Sequence, residues 1–162
     1  MTLDLRELIA GTVRELPFTY DCPGEGFADD LVNGTVHASG KAENHAGFLS
    51  LTGEATLSGV FRCARCLKEF ETSLCFPMEY KLAESLESED DGFLVLTDGT
   101  LDVDDLVREQ LLTEMPYRFL CRSNCKGLCP KCGTDLNVER CSCTTKEIDP
   151  RWAALGSYFD EE

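Results

Sequence analysis

The stretch FLSLTGEATLSGVFRC, residues 48–63, decides the fold class. Leu49 and Leu51, then Ala55 and Leu57, recur with the two-residue period of a strand that buries one face. Gly53 interrupts the series and is expected to mark a bulge or bend. Outward from this segment, residues 27–80 stay rich in Val, Thr, Phe and Leu. They are punctuated by Gly34, Gly40, Gly47, Gly53 and Gly59, the pattern of antiparallel strands divided by glycine breaks. FETSLCFPMEYKL (70–82) reads as a further strand, with Pro77 at an edge or bulge because it lacks an N–H for a ladder. Upstream, Leu3 and Leu5 suit a short strand, Glu7–Ala10 a helical turn, and RELPFTYDC (14–22) another strand. Downstream, AESLESEDDG (83–92) reads as a solvated acidic loop and FLVL (93–96) as a short buried strand.

A helix follows. Asp102 can cap it, Asp104 and Asp105 suit the positive end of its dipole, and Val103, Leu106, Val107, Gln110, Leu111 and Glu114 repeat at helical spacing until Pro116 stops it. From Cys121 to Cys143 large apolar residues are scarce, so that segment needs a staple rather than a core. Asp149 and Pro150 resemble the cap and first turn of a last helix, RWAALGSYF. The expected architecture is α+β: a mainly antiparallel β-barrel-like body with one or two helices and a C-terminal zinc-ribbon-like segment. Residues 1–116 form the body with its acidic loop and helix, and 117–162 a cysteine-rich tail packed on it.

Composition bounds the function. The chain has 162 residues, a formal charge of -15 and ordinary hydrophobic content at 43%. It has no apolar run of the roughly 18 residues a membrane span needs, and its acidic N-terminus is unlike a signal peptide. A cytoplasmic protein without membrane association is expected. The charge argues against the simplest nucleic-acid binder, which needs a basic face, and favours a basic partner. It is unevenly placed: residues 82–110 hold ten acids and Arg108 alone, whereas residues 117–151 hold seven bases and four acids.

Ten cysteines in a leaderless chain point to metal ligation rather than disulfides. Cys63/Cys66 and Cys129/Cys132 have the two-residue gap of a knuckle, a tight turn in which both sulfurs reach one tetrahedral ion. Gly133 supplies the positive φ such turns favour, and Cys141 and Cys143 complete a four-thiolate set with the second pair. Cys121 and Cys125 are then assigned to Cys63 and Cys66. A rival pairing, with Cys125 and Cys129 in one site, stays open because Cys121, Cys125 and Cys129 are evenly spaced. Two closed zinc sites are structural in character, since neither leaves a position for a substrate. Cys22 and Cys75, in apolar surroundings, read as buried thiols. His37 and His45 read as surface residues. Cys63-Ala64-Arg65-Cys66 as a redox dithiol would require a following helix, and β-like sequence lies on both sides. No GxSxG, HExxH, P-loop or dinucleotide fingerprint is present, so no enzyme is expected.

RCARC (62–66), DVDDLVREQLLTEMP (102–116), CRSNCKGLCPKCGTDLN (121–137), CSC (141–143) and DPRW (149–152) together resemble the YceD family, the large ribosomal RNA subunit accumulation proteins of bacteria and plastids. The resemblance runs through residues 1–159, with its specific part at 62–66 and 101–155. It implies a role in making or maintaining large-subunit (23S) ribosomal RNA. The expected partner is that RNA or its precursor, and/or a basic large-subunit ribosomal protein. Candidate RNA contacts are Arg62, Arg65, Lys68, Arg122, Lys126, Lys131 and Arg140, with Tyr117 or Phe119 for base stacking. In the other mechanism, the acidic loop holds a basic protein until RNA displaces it. The rival classes are a zinc-ribbon adaptor for another complex and a Cys-based redox protein.

Overall fold

The computed structural model describes residues 1–84 and 92–143. Most of the acidic loop and the whole of the last expected helix lie outside the described residues. Two compact units divide the chain, Met1–Cys121 and Arg122–Glu162.

The first unit is built on a curled, half-barrel sheet of five strands in the order β2-β3-β4-β5-β6. Its strands are β2 (Glu15–Pro23), β3 (Leu31–His45), β4 (Phe48–Arg62), β5 (Glu69–Ala83) and β6 (Phe93–Val95). The first four pair antiparallel, and β6 runs parallel to the last three residues of β5, Lys81–Ala83. A two-stranded ribbon joins β1 (Thr2–Asp4) to β7 (Thr100–Asp102). Helix α1 (Arg6–Ile9) and helix α2 (Val103–Glu114) complete the unit.

β3, β4 and β5 are each 15 residues long, so the expected glycine breaks are not breaks. Only Gly47 is at a turn: with Ala46 it forms a two-residue loop, both residues at positive φ, between the paired His45 and Phe48. That backbone twists as a hairpin requires. The others lie inside strands as cross-strand partners, Gly34 opposite Gly59 and Gly40 opposite Gly53. The register runs unbroken through Gly53, so no bulge is there; the one irregularity of this pairing is at Leu31/Asn33. A Cβ on Gly53 would come 2.4 Å from Ser39 O, and one on Gly40 would come 2.3 Å from Thr52 O and 2.9 Å from the Phe18 ring. Glycine is present because the inner face closes tightly at these pairs, which is how a sheet acquires curvature.

The core follows the predicted alternation. Leu49, Leu51, Ala55, Leu57 and Phe61 of β4 face inward with Val36, Ala38 and Ala42 of β3 and Phe76, Met78 and Leu82 of β5. Pro77 lies where β5 has no β6 partner, as an edge proline should. In β6 Val95 is 45% exposed, so FLVL is a half-covered strand and not the buried one expected.

Asp102 caps α2, its Oδ1 accepting from the Asp104 N–H at 2.9 Å, and Val103, Leu106, Val107 and Leu111 are buried. The helix reaches both sides of the half-barrel. The Tyr20 hydroxyl of β2 donates to Asp104, and the Tyr80 hydroxyl of β5 donates to Gln110, whose Nε2 donates to Pro77 O at 2.7 Å.

In the second unit the described residues, 122–143, contain no helix and no strand, only the isolated bridge Leu128–Asp135. Its buried residues there are Cys125, Gly127 and Cys129. No described helix is long and apolar enough to cross a membrane.

Candidate metal centres

Arg62 and Glu69 are paired at the end of the β4–β5 ladder, so residues 63–68 are the loop of a long hairpin. This places the first dithiol. The Leu67 N–H donates to Cys63 O at 2.9 Å, and the Cys63 N–H donates to Lys68 O at 2.9 Å. In the second unit the Gly133 N–H donates to Cys129 O at 2.9 Å and the Cys129 N–H to Thr134 O at 2.8 Å. The two knuckles are therefore the same turn. Each closes on a residue of positive φ, Leu67 at 59° and Gly133 at 74°. Leucine bears that conformation at a cost of about 1–2 kcal/mol, which glycine avoids.

All ten cysteines are outside disulfides. Within the first unit the sulfurs of Cys63, Cys66 and Cys121 lie within 4.8 Å of one another, with Cys66 and Cys121 at 3.7 Å. Four sulfurs about 2.3 Å from a zinc-sized ion stand about 3.8 Å apart along a tetrahedral edge, so the spacing fits. Cys121 is brought up by Phe119, whose ring stacks on Phe61 at 4.4 Å and whose carbonyl accepts from the Ala64 N–H at 2.9 Å. In the second unit the sulfurs of Cys129, Cys132, Cys141 and Cys143 also lie within 4.8 Å of one another. Both cysteine clusters can hold a metal ion. Neither Cys22 nor Cys75 joins them, and Cys75 is exposed rather than buried, 3.4 Å from Glu54 Oε2.

The local backbone favours thiolates. Burial pushes the Cys63 thiol up, but the N–H groups of Cys121, Cys66 and Arg65 point at its sulfur and carry it down to about 6. Cys132 is also brought down to about 6, chiefly by the Thr134 hydroxyl and N–H. The N–H groups of Cys132 and Lys131 lower Cys129. Cys143 is pushed up to about 12 because it hydrogen-bonds Cys132 and Cys129 while protonated. A bound cation would take the place of such protons, and binding would release them.

Sequence reasoning did not find Asn137. Its Nδ2 is 3.4 Å from Cys125 Sγ and 2.7 Å from Asp135 Oδ1, and its Oδ1 accepts from the Lys126 N–H at 2.8 Å. It holds a buried thiol from 12 residues away, a contact no spacing rule anticipates. Donors behind a ligand typically contribute 10–100-fold in metal affinity. Asn137→Ala is thus expected to lower the retention of added metal about tenfold in chelator competition, with stoichiometry unchanged at saturating metal.

Of the predicted RNA contacts, Arg62, Arg65 and Lys68 are exposed on and beside the first knuckle, and Arg122, Lys126, Lys131 and Arg140 are exposed in the second unit. Arg65 and Lys131 occupy the same knuckle position, immediately before the second cysteine. Tyr117 is 98% exposed and can stack on a base, whereas Phe119, 6% exposed and packed on Phe61, cannot. His37 is a surface residue 2.7 Å from Asp21, as expected.

A curled, mainly antiparallel sheet with a dithiol knuckle in its longest hairpin, followed by a unit with four more clustered thiols, defines a β-sheet protein with two cysteine clusters able to hold a metal ion. The model of the family described as large ribosomal RNA subunit accumulation protein YceD matches residues 51–157, from β4 through both clusters. The chain belongs to the YceD family. An uncharacterized protein of Mycobacterium leprae is 33% identical over 111 residues, 65% of this chain and 50% of its own length. The uncharacterized protein YlbN of Bacillus subtilis is 30% identical over 136 residues, 78% of this chain and 76% of its own. The chloroplastic YCED homolog 1 of Arabidopsis thaliana, named as a large ribosomal RNA subunit accumulation protein, is 35% identical over 61 residues, 38% of this chain and 19% of its own. The chain spans about half the length of the mycobacterial relatives it matches. No solved structure matches. The family's name implies a role in the accumulation of large-subunit ribosomal RNA.

Proposed function

We propose that the chain is a non-enzymatic factor in large ribosomal subunit biogenesis that contacts 23S ribosomal RNA or its precursor through bases held beside two structural zinc ions. Cys63, Cys66, Cys121 and Cys125 would hold one ion, and Cys129, Cys132, Cys141 and Cys143 the other. Cys125 follows Cys121 by four residues and is a buried thiol with a hydrogen-bond donor at its sulfur. All-thiolate donors suit zinc in a closed site, whose contribution is to fix the backbone. The single observation that carries the RNA reading is the repeated knuckle, with Arg65 and Lys131 at the same exposed position of the same turn. Four thiolates on a divalent ion leave a formal charge of -2, which such bases offset locally. Arg62, Lys68, Arg122, Lys126 and Arg140 then supply the positive surface that phosphates need.

The test is affinity purification of the chain at about 0.15 M salt, with and without RNase. Wild type is expected to retain large-subunit RNA. The triple change Arg62→Glu, Arg65→Glu, Lys68→Glu is expected to lower bound RNA at least roughly tenfold and to flatten its salt dependence by about two to three phosphate contacts. Equal RNA recovery from the metal-loaded triple variant would remove the basic knuckle from the mechanism.

A further inference from the structure

Beside the first knuckle the first unit carries a groove of about 430 Å³. Half-buried Ala28 and Met115 and exposed Pro116 and Tyr117 contribute its apolar surface, the nearly buried Phe27 and Phe119 lie at its floor, and Asp29 and Asp30 bring its two carboxylates. We infer that this groove docks a basic segment of a partner protein, with an aromatic or aliphatic side chain on the apolar surface and flanking lysines or arginines on Asp29 and Asp30.

Three observations lead there. Tyr117 is 98% exposed, a large aromatic surface left for a partner to cover, and such rings are the usual anchors of interfaces. No lysine or arginine lines the groove, and among the described residues neither aspartate carboxylate has an ion-pair or hydrogen-bond partner. The groove is also preformed. Asp30 O accepts from the Arg62 N–H at 2.7 Å, and Phe119 O accepts from the Ala64 N–H at 2.9 Å. Both walls are thereby tied to the segment that enters the knuckle, which lowers the ordering cost of binding. Two carboxylates repel phosphate, so a peptide fits where an RNA strand does not. The bases proposed to meet RNA are different residues, and the two readings stand or fall separately.

Fluorescence anisotropy on the metal-loaded full chain tests it, at about 0.15 M salt. The probe is a labelled synthetic peptide, acetyl-Gly-Lys-Arg-Phe-Arg-Lys-Gly-amide, compared with its Phe-to-Ala version, its Lys/Arg-to-Gln version and a labelled oligouridylate. Saturable binding is expected for the first peptide, with at least about a fivefold loss for either altered peptide. Tyr117→Ala and the pair Asp29→Asn, Asp30→Asn should each weaken it at least about fivefold, by loss of anchor burial and of desolvated charge pairs. Tyr117→Phe should bind as wild type. Glu71→Gln with Glu79→Gln, acids on the outer face of β5, should change little. The inference is overturned if the groove variants bind as wild type, if Glu71 and Glu79 matter as much as Asp29 and Asp30, or if the oligouridylate, rather than the peptide, depends on Tyr117 and the aspartates.

Discussion

Removal of metal is expected to unfold residues 122–143 while leaving the half-barrel folded. Among the described residues the second unit has no helix, no strand and no large buried aliphatic side chain. Among those residues the buried positions are only Cys125, Gly127 and Cys129. A structural zinc ion supplies roughly 10–16 kcal/mol of apparent folding free energy. That exceeds most of the 5–15 kcal/mol net stability of a typical domain, and nothing else in this segment replaces it. The first unit differs because Leu51, Leu57, Phe61, Met78 and Leu111 are buried without help from sulfur. Cys132→Ser should therefore release one metal equivalent by native mass spectrometry. It should collapse the amide shifts of Gly127, Leu128 and Leu136 toward random-coil values and leave those of β3 and β4 in place. Dispersed, protected amides for those three residues after chelation would show that the backbone, not the ion, holds the unit.

What the sequence disclosed, and what it did not, divides by the range of the contacts concerned. Alternation in FLSLTGEATLSGVFRC and the capped repeat after Asp102 are local signals, and the inward rows of β4 and α2 match them. The CPKCG run is equally local, because a knuckle is one turn. The first knuckle was legible in its cysteines but not in Leu67, since nothing in a leucine announces a positive φ. Phe119 reads as a candidate base-stacking ring until Phe61, 58 positions earlier in the chain, is found against it. Asn137 and the walls of the groove, residues 27–30, 115–117 and 119, depend on elements the chain brings together only after folding. Glycine was the most misleading residue. Inside strands it normally marks a break, yet here four of the five mark the closest approach of neighbouring backbones.

That last point makes a prediction whose sign separates two accounts. An ordinary strand glycine is less favourable than alanine by roughly 0.5–1 kcal/mol, so Gly53→Ala would stabilise an ordinary strand. In this sheet the new Cβ would meet Ser39 O at 2.4 Å and the Gly40 Cα at 2.8 Å, both backbone atoms that no rotamer can move aside. Relief requires β3 and β4 to part at the bend, which breaks ladder bonds and flattens the curl. A flatter sheet carries Tyr20 and Tyr80 away from Asp104 and Gln110, and α2 loses its hold on both sides of the half-barrel. The expected cost is about 1–3 kcal/mol, in the range of overpacked cores, read as a fall of roughly 4–15 °C in the melting of the first unit. Gly40→Ala should behave alike, because its Cβ would also press on Phe18. Both variants should still load the second cluster, since its four sulfurs lie within 129–143. A melting temperature at or above that of wild type for Gly53→Ala would mean that the sheet curves by some route other than the paired glycines.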